Sequence, residues 1–400
     1  MHQTSQAPTL PSLEAQQLMT HMDVFCRQIG ARPTGSAAER RAAEYVMQVL
    51  DSLKIADVRR QPFQTPPSSG SVSLPVLSIA ALGGLLSGSS RFGKLIGGLA
   101  LIGGVANLIG LETGRRPVFY PLIATAESEN IIARIPARGT PKRMVFIVAH
   151  LDSNKQRFLF PAPIPVLTKL FHTASFALAL IGGASMLLDV ITGKRGSGFL
   201  QRLGVFSAVL GVAASAVDEF QPFVEGANDN ATALSVALGL AGAFSRAPLE
   251  HTEVTLLFTG AEEPGCNGIE SYLLQYAPPL AESTFIDIEM VGTGSLCYVT
   301  EHGMSAFGRY HPAPKITALA AQVARDNPQL GVMGKPMTII EEVANLRAHG
   351  YEAICVAGYG FDGMLPNWHR TSDTLDKIEP DVLHRAARYI YELVTALDQQ

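Results

Sequence analysis

The order of hydrophobic and polar residues along this chain predicts an α/β fold. Amphipathic patterns at 12–29 and 36–54 predict two helices, the second with Ser36 as N-cap. Short apolar runs predict buried strands at 129–135, 143–149, 253–259, 284–291, 295–300 and 353–358. Helical patterns follow at 229–246, 265–277, 312–326, 338–349 and 380–398. Strands that alternate with helices predict a mostly parallel central sheet flanked by helices.

Two regions interrupt this alternation. Nearly uncharged stretches at 74–87 and 95–111 form one pair, and stretches at 170–188 and 203–217 form another. Basic residues lie in the connecting loops, namely Arg91, Lys94, Lys194, Arg195 and Arg202. The pattern predicts two inserted apolar helical hairpins, at 73–112 and 158–220.

Three interpretations of the hairpins stay open. They contact a membrane, form an apolar lid or a homo-oligomer interface, or pack on each other as a helical subdomain over the active site. Membrane association is favoured, although the stretches are shorter than the roughly 20 residues that span a bilayer comfortably. The expected location is therefore membrane-associated and otherwise cytoplasmic, since the N-terminal sequence lacks the pattern of a cleavable signal peptide.

Composition supports the unusual apolar character. The 400 residues are 47% hydrophobic and only 16% charged, whereas charged residues usually approach a quarter. With 31 basic and 35 acidic residues, nothing indicates a nucleic-acid partner. The four cysteines are scattered and form no CxxC pair, so neither a disulfide framework nor a cysteine zinc site is expected.

Five short polar motifs fall at or just beyond the carboxyl ends of predicted strands, where ligands collect in open α/β sheets. They are AHLDSN with His150 and Asp152, GANDNATA with Asp229, FTGAEEPG with Glu262 and Glu263, IDIEMVG with Glu289, and NWHRTSDTLD with His369. Imidazoles and carboxylates in this mixture suit Zn²⁺. No HExxH, P-loop, GxSxG or GxGxxG pattern supports a rival chemistry.

The chemistry of a paired zinc site suggests roles for these residues. A carboxylate such as Asp229 can bridge two ions, and zinc lowers the pKa of a bound water to about 7, which makes it a nucleophile. Adjacent side chains at a strand end point in different directions, so Glu263 would bind metal while Glu262 acts as general base. Asp152 would either hold the second nitrogen of the His150 imidazole or support the site from outside the set of metal ligands.

Together, the motifs HLD, NDN, EE, EMVG and WHRTSDT resemble the di-zinc aminopeptidase family, whose members include bacterial leucine aminopeptidases, glutamate carboxypeptidases and glutaminyl cyclases. The resemblance covers roughly 1–70 and 117–400. It implies one catalytic domain over 1–400, built as a three-layer α/β sandwich. It also implies two zinc ions, one on His150 and Glu289 and the other on Glu263 and His369, with Asp229 bridging and Glu262 as base.

Some features depart from the family pattern. The fourth ligand is usually Asp, so Asp287 rivals Glu289, and Asn228 stands where an acid usually precedes the bridging Asp. Trp368 is a candidate for the substrate pocket. The expected activity is aminopeptidase hydrolysis of peptide substrates. The alternatives are a glutaminyl cyclase with one zinc, a carboxypeptidase-type exopeptidase, or a non-enzymatic module that has kept the fold.

Overall fold

The computed structural model describes residues 10–157, 165–193 and 196–400. A mixed eight-stranded sheet forms the centre of these described residues. The strands are β1 (Asp57–Thr65), β2 (Ala126–Ile135), β3 (Arg143–His150), β4 (Thr252–Thr259), β5 (Ser283–Glu289), β6 (Ser295–Glu301), β7 (Val332–Pro336) and β8 (Glu352–Tyr359). Their order is β1-β2-β4-β3-β5-β8-β6-β7. The central strands β4, β3, β5 and β8 are parallel, so their carboxyl ends meet at one edge.

Twelve α-helices occur in the described ranges, besides short 3-10 and π-helical segments. They are α1 (Ala15–Asp23), α2 (Ala37–Ser52), α3 (Ser69–Leu85), α4 (Arg91–Glu112), α5 (Tyr120–Ile123), α6 (Pro165–Thr192), α7 (Gly198–Glu219), α8 (Thr232–Arg246), α9 (Asn267–Tyr276), α10 (Pro314–Asp326), α11 (Val343–Ala348) and α12 (Pro380–Asp398). Residues of α1, α2, α8, α10 and α12 share one core with the sheet, and residues of α9 and α11 share the other. The predicted three-layer α/β sandwich is confirmed.

Strand β3 shows why these segments are buried on both faces. Val145, Ile147 and Ala149 enter one core, whereas Phe146 and Val148 enter the other, as the two-residue period of a strand requires. Each such large side chain contributes about 1.5–3 kcal/mol on burial. A continuous apolar run therefore fixes a central strand, and its end places the next polar residue at the sheet edge.

Most predicted elements match the observed ones, with several corrections. The predicted helix 229–246 begins only at Thr232, because Asp229 and Asn230 have non-helical backbone angles, and the short helix α5 was not predicted. Ser36 does cap α2, since its hydroxyl accepts the N–H groups of Ala38 and Glu39 at 3.2 Å each. Strands β1 and β7 were not predicted. The predicted helix 338–349 is wrong over its first half, because the Glu341 carboxylate accepts the N–H of Val343 at 2.7 Å and helix α11 begins only there.

The four apolar helices α3, α4, α6 and α7 form a four-helix bundle, and we use that name below. Helix α3 packs against α4 and α7, and α6 packs against the same two helices. Helices α4, α6 and α7 are long and apolar enough to cross a membrane, whereas α3 is shorter. Part of the predicted hairpin at 158–220 lies outside the described residues, namely 158–164 and the basic residues Lys194 and Arg195.

Small residues allow the bundle helices to approach closely. A Cβ atom on Gly182 would lie 2.7 Å from the Cα atom of Gly204, and one on Gly84 would lie 2.6 Å from a methyl carbon of Val205. Large apolar side chains instead point outward, including Leu82, Leu188 and Phe206, which are each more than half exposed. The bundle thus has small residues where its helices cross, larger buried side chains such as Leu101 and Phe176 elsewhere in its interior, and an apolar outer surface. Small residues at close crossings are also found among helices in lipid.

Candidate active site

The first imidazole of the site lies at the carboxyl end of strand β3. His150 is the last residue of this strand and is buried. Its Nε2 atom lies 3.2 Å from Oδ1 of Asp229 and 3.7 Å from Oε1 of Glu289, the last residue of β5. Adjacent parallel strands therefore deliver one imidazole and one carboxylate to the same point.

A second imidazole approaches the same aspartate from the opposite side. Nε2 of His369 lies 3.2 Å from Oδ2 of Asp229 and 3.2 Å from Oε2 of Glu263. Asp229 therefore offers one oxygen to each histidine. The structure brings all five predicted metal ligands together as two three-residue clusters that share Asp229.

These spacings fit zinc. Two ligand atoms that each lie about 2.0–2.1 Å from a tetrahedral zinc are separated by roughly 3.3–3.4 Å. The observed separations of 3.2 and 3.7 Å lie close to this value. Moreover, Oε1 of Glu263 and Oε1 of Glu289 are buried and accept no hydrogen bond from any described residue. Because unpaired buried carboxylates are costly, these oxygens call for a cation.

Glu262, the predicted base, lies beside the first cluster. Its carboxylate comes within 4.8 Å of the ligand atoms of His150 and Glu263, and Oε1 accepts the Cys266 thiol at 3.2 Å. Burial raises the pKa of Glu262 well above its ordinary value. Glu262 is thus close to the clusters without belonging to the pair of ligand sets around Asp229, as a proton-transfer group requires.

The charges of the two clusters are strongly coupled. Burial disfavours ionisation of Asp229, but hydrogen bonds from His150 and His369 prevail and lower its pKa below the ordinary value. Burial lowers the pKa of His150, yet Glu289, Asp152 and Asp229 outweigh it and raise that pKa well above 6.5. Burial raises the pKa of Glu289 to about 8. Because these groups bind metal in their deprotonated forms, metal binding would release protons from the site.

Asp152 supports the adjacent glutamates as well as the histidine. Its Oδ1 accepts the N–H of Glu262 at 3.0 Å, and its Oδ2 accepts the N–H of Glu263 at 3.2 Å and the Thr34 hydroxyl at 2.7 Å. The Nδ1 atom of His150 lies 3.1 Å from the backbone oxygen of Asp152 and 3.5 Å from its Oδ1. The carboxylate therefore fixes the turn that presents both glutamates.

The rival residues Glu289 and Asp287 point to different places. Both lie on β5, but Glu289 reaches His150, whereas Asp287 belongs to a separate buried group with Glu341 and Cys355.

Trp368 lines the cavity that opens at the site, and its ring centroid lies 4.9 Å from that of His369. The role of Glu289 as a metal ligand and the role of Trp368 as a substrate-pocket residue remain predictions.

Two supporting residues were missed from the sequence although they lie in the quoted motifs. Asp373 accepts the N–H groups of Asn228 at 2.7 Å and Asp229 at 3.0 Å, which holds the shared aspartate in place. Asn154 donates to Oε2 of Glu263 and lies 3.2 Å from Nε2 of His369. Their position in WHRTSDT and AHLDSN was the only available signal.

Similarity to a peptidase family and to solved zinc exopeptidases supports a zinc-dependent hydrolase. Residues 210–394 match the sequence model of Peptidase family M28, a range that includes Asp229, Glu262, Glu263, Glu289 and His369. The match confirms the resemblance to the di-zinc aminopeptidases. Among proteins with curated descriptions, none matches this chain.

Several solved structures share the fold. A zinc aminopeptidase from Bacillus subtilis is 16% identical in sequence, with a TM-score of 0.58. The alignment covers 97% of this chain and 95% of the aminopeptidase chain. A leucine aminopeptidase precursor from Bacteroides thetaiotaomicron is 14% identical with a TM-score of 0.55, covering 97% and 99%. A glutaminyl cyclase from an Acidobacteriales bacterium is 12% identical with a TM-score of 0.57, covering 100% and 99%.

Proposed function

We propose that this protein is an aminopeptidase that hydrolyses the peptide bond next to a free N-terminus with two zinc ions. The observation that carries the proposal is the pair of three-residue clusters joined by Asp229, whose two oxygens each face one histidine. His150 and Glu289 would hold one ion, Glu263 and His369 the other, and Asp229 would bridge them. The similarity to solved aminopeptidases supports this activity.

Each protein group has a distinct task in the proposed reaction. Bound zinc supplies Lewis acidity, which polarises the scissile carbonyl and lowers the pKa of a bound water towards about 7. Glu262 accepts a proton from the attacking water on its carboxylate and then donates it to the leaving amine. Asp152 keeps the Glu262 backbone in place, and Asn154 orients the carboxylate of Glu263.

Glu262→Gln tests the assignment directly. Purified protein with added zinc is assayed on aminoacyl-nitroanilides, and zinc is quantified by mass spectrometry. We expect Glu262→Gln to lower kcat by about 10²–10⁴-fold while zinc content stays at two per chain. Glu282→Gln, which changes an exposed glutamate, serves as the control. Absence of hydrolysis by the wild type, or full activity of Glu262→Gln, would contradict the proposal.

A glutaminyl cyclase is the second candidate, because solved structures of this class share the fold at TM-scores of 0.55–0.57. The two activities differ in product and in metal count. Cyclisation of an N-terminal glutamine, with one zinc per chain, would favour the cyclase. Retention of one zinc after His369→Ala, with two in the wild type, would favour the aminopeptidase.

We also propose that the four-helix bundle sits in a membrane. The support is the row of exposed apolar side chains on its outer face, which far exceeds the scattered apolar residues of a soluble surface. At 1.5 Å per residue, the 22 residues of α4 and of α7 measure about 33 Å, close to the roughly 30 Å of the hydrocarbon layer.

A further inference from the structure

A cavity of about 340 Å³ joins the candidate metal site to the interior of the four-helix bundle. His150, Asp229, Glu262 and His369 line it at one end. The rest of the lining comes mainly from all four bundle helices, with residues such as Leu77, Leu101, Phe176 and Ala214. The α/β core also contributes, with Met304, Ile339 and Trp368. The volume lies within the range of small-molecule binding sites. The candidate catalytic groups therefore open into a chamber whose walls come mainly from the inserted hairpins.

The walls of this chamber are mostly apolar, and several of their polar groups already have partners. The Ser207 hydroxyl donates to the backbone oxygen of Ser175 at 2.9 Å. The Glu112 carboxylate accepts the Ser305 hydroxyl. The Lys155 ammonium binds the carboxylate of Glu219 at 2.7 Å. These groups therefore offer little to a polar ligand, whereas Leu101, Val105 and Leu108 of α4 offer apolar contact.

The cavity ends about halfway along the bundle. On α4 its lining runs from Leu101 to Glu112, roughly 16 Å of helix. Beyond this depth the helices approach closely, as the Gly84–Val205 and Gly182–Gly204 contacts show. The chamber is thus elongated and leads away from the metal site to a packed end.

We propose that the residue before the scissile amide carries a long unbranched hydrocarbon chain, which fills this chamber during catalysis. A peptide segment would be a poor occupant, because helix backbone groups are satisfied within the helices and its own N–H and C=O groups would stay unpaired. A hydrocarbon chain has no such groups. An exopeptidase has only its terminal residue on this side of the amide, which suits a chamber with a packed end. The inference rests on the proposed function and specifies its substrate class.

A homologous substrate series tests the proposal. Nitroanilides of 2-amino acids whose linear side chains run from ethyl to dodecyl are assayed with the zinc-loaded protein in phospholipid nanodiscs, since detergent tails would compete. We expect kcat/KM to rise by up to about fourfold per added methylene, the equivalent of about 0.8 kcal/mol, and to level off when the chamber is full. Flat or falling values along the series would overturn the proposal.

Two neighbouring alanines of α7 provide a matched pair of variants. Ala214 is buried and lines the chamber, whereas Ala213 is exposed on the outer side. Ala214→Phe should lower the ratio of kcat/KM between the dodecyl and ethyl substrates at least tenfold, and Ala213→Phe should leave it unchanged. Equal ratios in both variants would contradict the chamber as the binding site. Thermal unfolding and zinc content of Ala214→Phe check that the protein is folded.

The series also separates this inference from the proposed function. If the ethyl substrate is hydrolysed but kcat/KM does not rise with longer chains, the hydrocarbon chamber is refuted and the proposed aminopeptidase activity is not. Absence of hydrolysis along the whole series refutes the aminopeptidase. In that case, failure of a fluorescent long-chain amine to bind the wild type, or equal binding to the wild type and Ala214→Phe, refutes the chamber as well.

Discussion

Asp152 is the residue on which the geometry of the two glutamates depends. Its carboxylate accepts the N–H groups of both Glu262 and Glu263. Asp152→Asn would turn an amide NH₂ towards one of these donors, so the turn should shift. We expect a loss of about 10–100-fold in zinc affinity or kcat/KM, measured by zinc titration and nitroanilide hydrolysis.

Asp51→Asn is a suitable control for this change, because Asp51 is exposed on α2. Wild-type zinc affinity and activity in Asp152→Asn would show that the carboxylate is dispensable.

His21 should make stability depend on pH. Burial lowers its pKa to about 4, and Nδ1 lies 2.8 Å from the Tyr45 hydroxyl. The folded protein therefore keeps His21 neutral while the unfolded chain takes up a proton below pH 6.5, so this contribution to stability is lost as pH falls from 6.5 towards 4. Between pH 7 and pH 5 the wild type should lose about 2 kcal/mol more unfolding free energy than His21→Gln.

Urea unfolding at the two pH values measures this difference. The exposed His311 provides the control exchange, His311→Gln, which should follow the wild type. Parallel pH dependence of the wild type and His21→Gln would refute the prediction.

Individual site residues were predictable to the extent that they stand in a motif and end a strand. His150 was found because an apolar run stops at it, whereas Glu289 was found as a carboxylate inside the apolar run 284–291. Asp373 was missed, since its function is to hold the backbone of Asn228 and Asp229, far away in sequence. Asp287 and Glu289 could not be separated, because both project from the same side of one strand and only neighbouring elements decide what each meets.

At the scale of elements, close helix packing in the bundle depends on particular glycines. A Cβ atom at Gly204 would lie 2.8 Å from the Cα atom of Gly182 and 2.9 Å from the backbone oxygen of Leu178, whereas one at Gly103 meets nothing within 4 Å. Gly204→Ala should therefore force α6 and α7 apart and destabilise the protein by about 1–3 kcal/mol.

Gly103→Ala is the matched control, since alanine favours a helix over glycine by about 0.5–1 kcal/mol and no neighbour obstructs it. Thermal unfolding in the same detergent compares the two variants. A melting temperature of Gly204→Ala at or above that of Gly103→Ala would contradict the observed packing.

Elements were predictable where they are buried and uniform. The central strands were located within one to three residues of their ends, but β1 and β7 were missed because edge strands carry charged residues, glycine and proline, as DVRRQPFQT and VMGKP do. The start of α11 was misplaced because MTIIEEVANL has a helical pattern, and only the hydrogen bond from Val343 to Glu341 shows where the helix begins.

At the scale of the whole molecule, the outer face of the bundle should decide where the protein resides. Replacing Leu82, Ile181, Leu188 and Phe206 by glutamate puts four charges on exposed apolar positions. Charged side chains in the hydrocarbon layer cost at least about 2.5 kcal/mol each, so this variant should leave the membrane pellet after an alkaline wash, whereas the wild type stays.

A variant with four similar substitutions outside the bundle, in the α/β part of the chain, is the control. Leu274, Leu280, Met333 and Phe361 are also exposed apolar residues, and their replacement by glutamate should not change the fractionation. Wild-type protein in the supernatant before or after the wash would refute the membrane location.

Packing of the two hairpins on each other was one of the interpretations left open by the sequence, but the helix faces that form this contact could not be predicted. Helices α3, α4, α6 and α7 are apolar on nearly every side, so no stripe of polar residues shows which face turns inward. The amphipathic helices α2 and α12 could be oriented in advance, because their apolar stripes face the sheet. The structure supplies what the pattern lacks by placing glycines, alanines and serines at the crossings.

The cavity that begins at the candidate metal site and continues between the apolar helices has a kinetic consequence under the proposed function and membrane location. Substrates with long hydrocarbon tails gather in the bilayer, so the enzyme would sense their mole fraction among lipids rather than their amount per litre. Adding empty vesicles of the same lipid, with enzyme and substrate held constant, would then slow turnover by surface dilution.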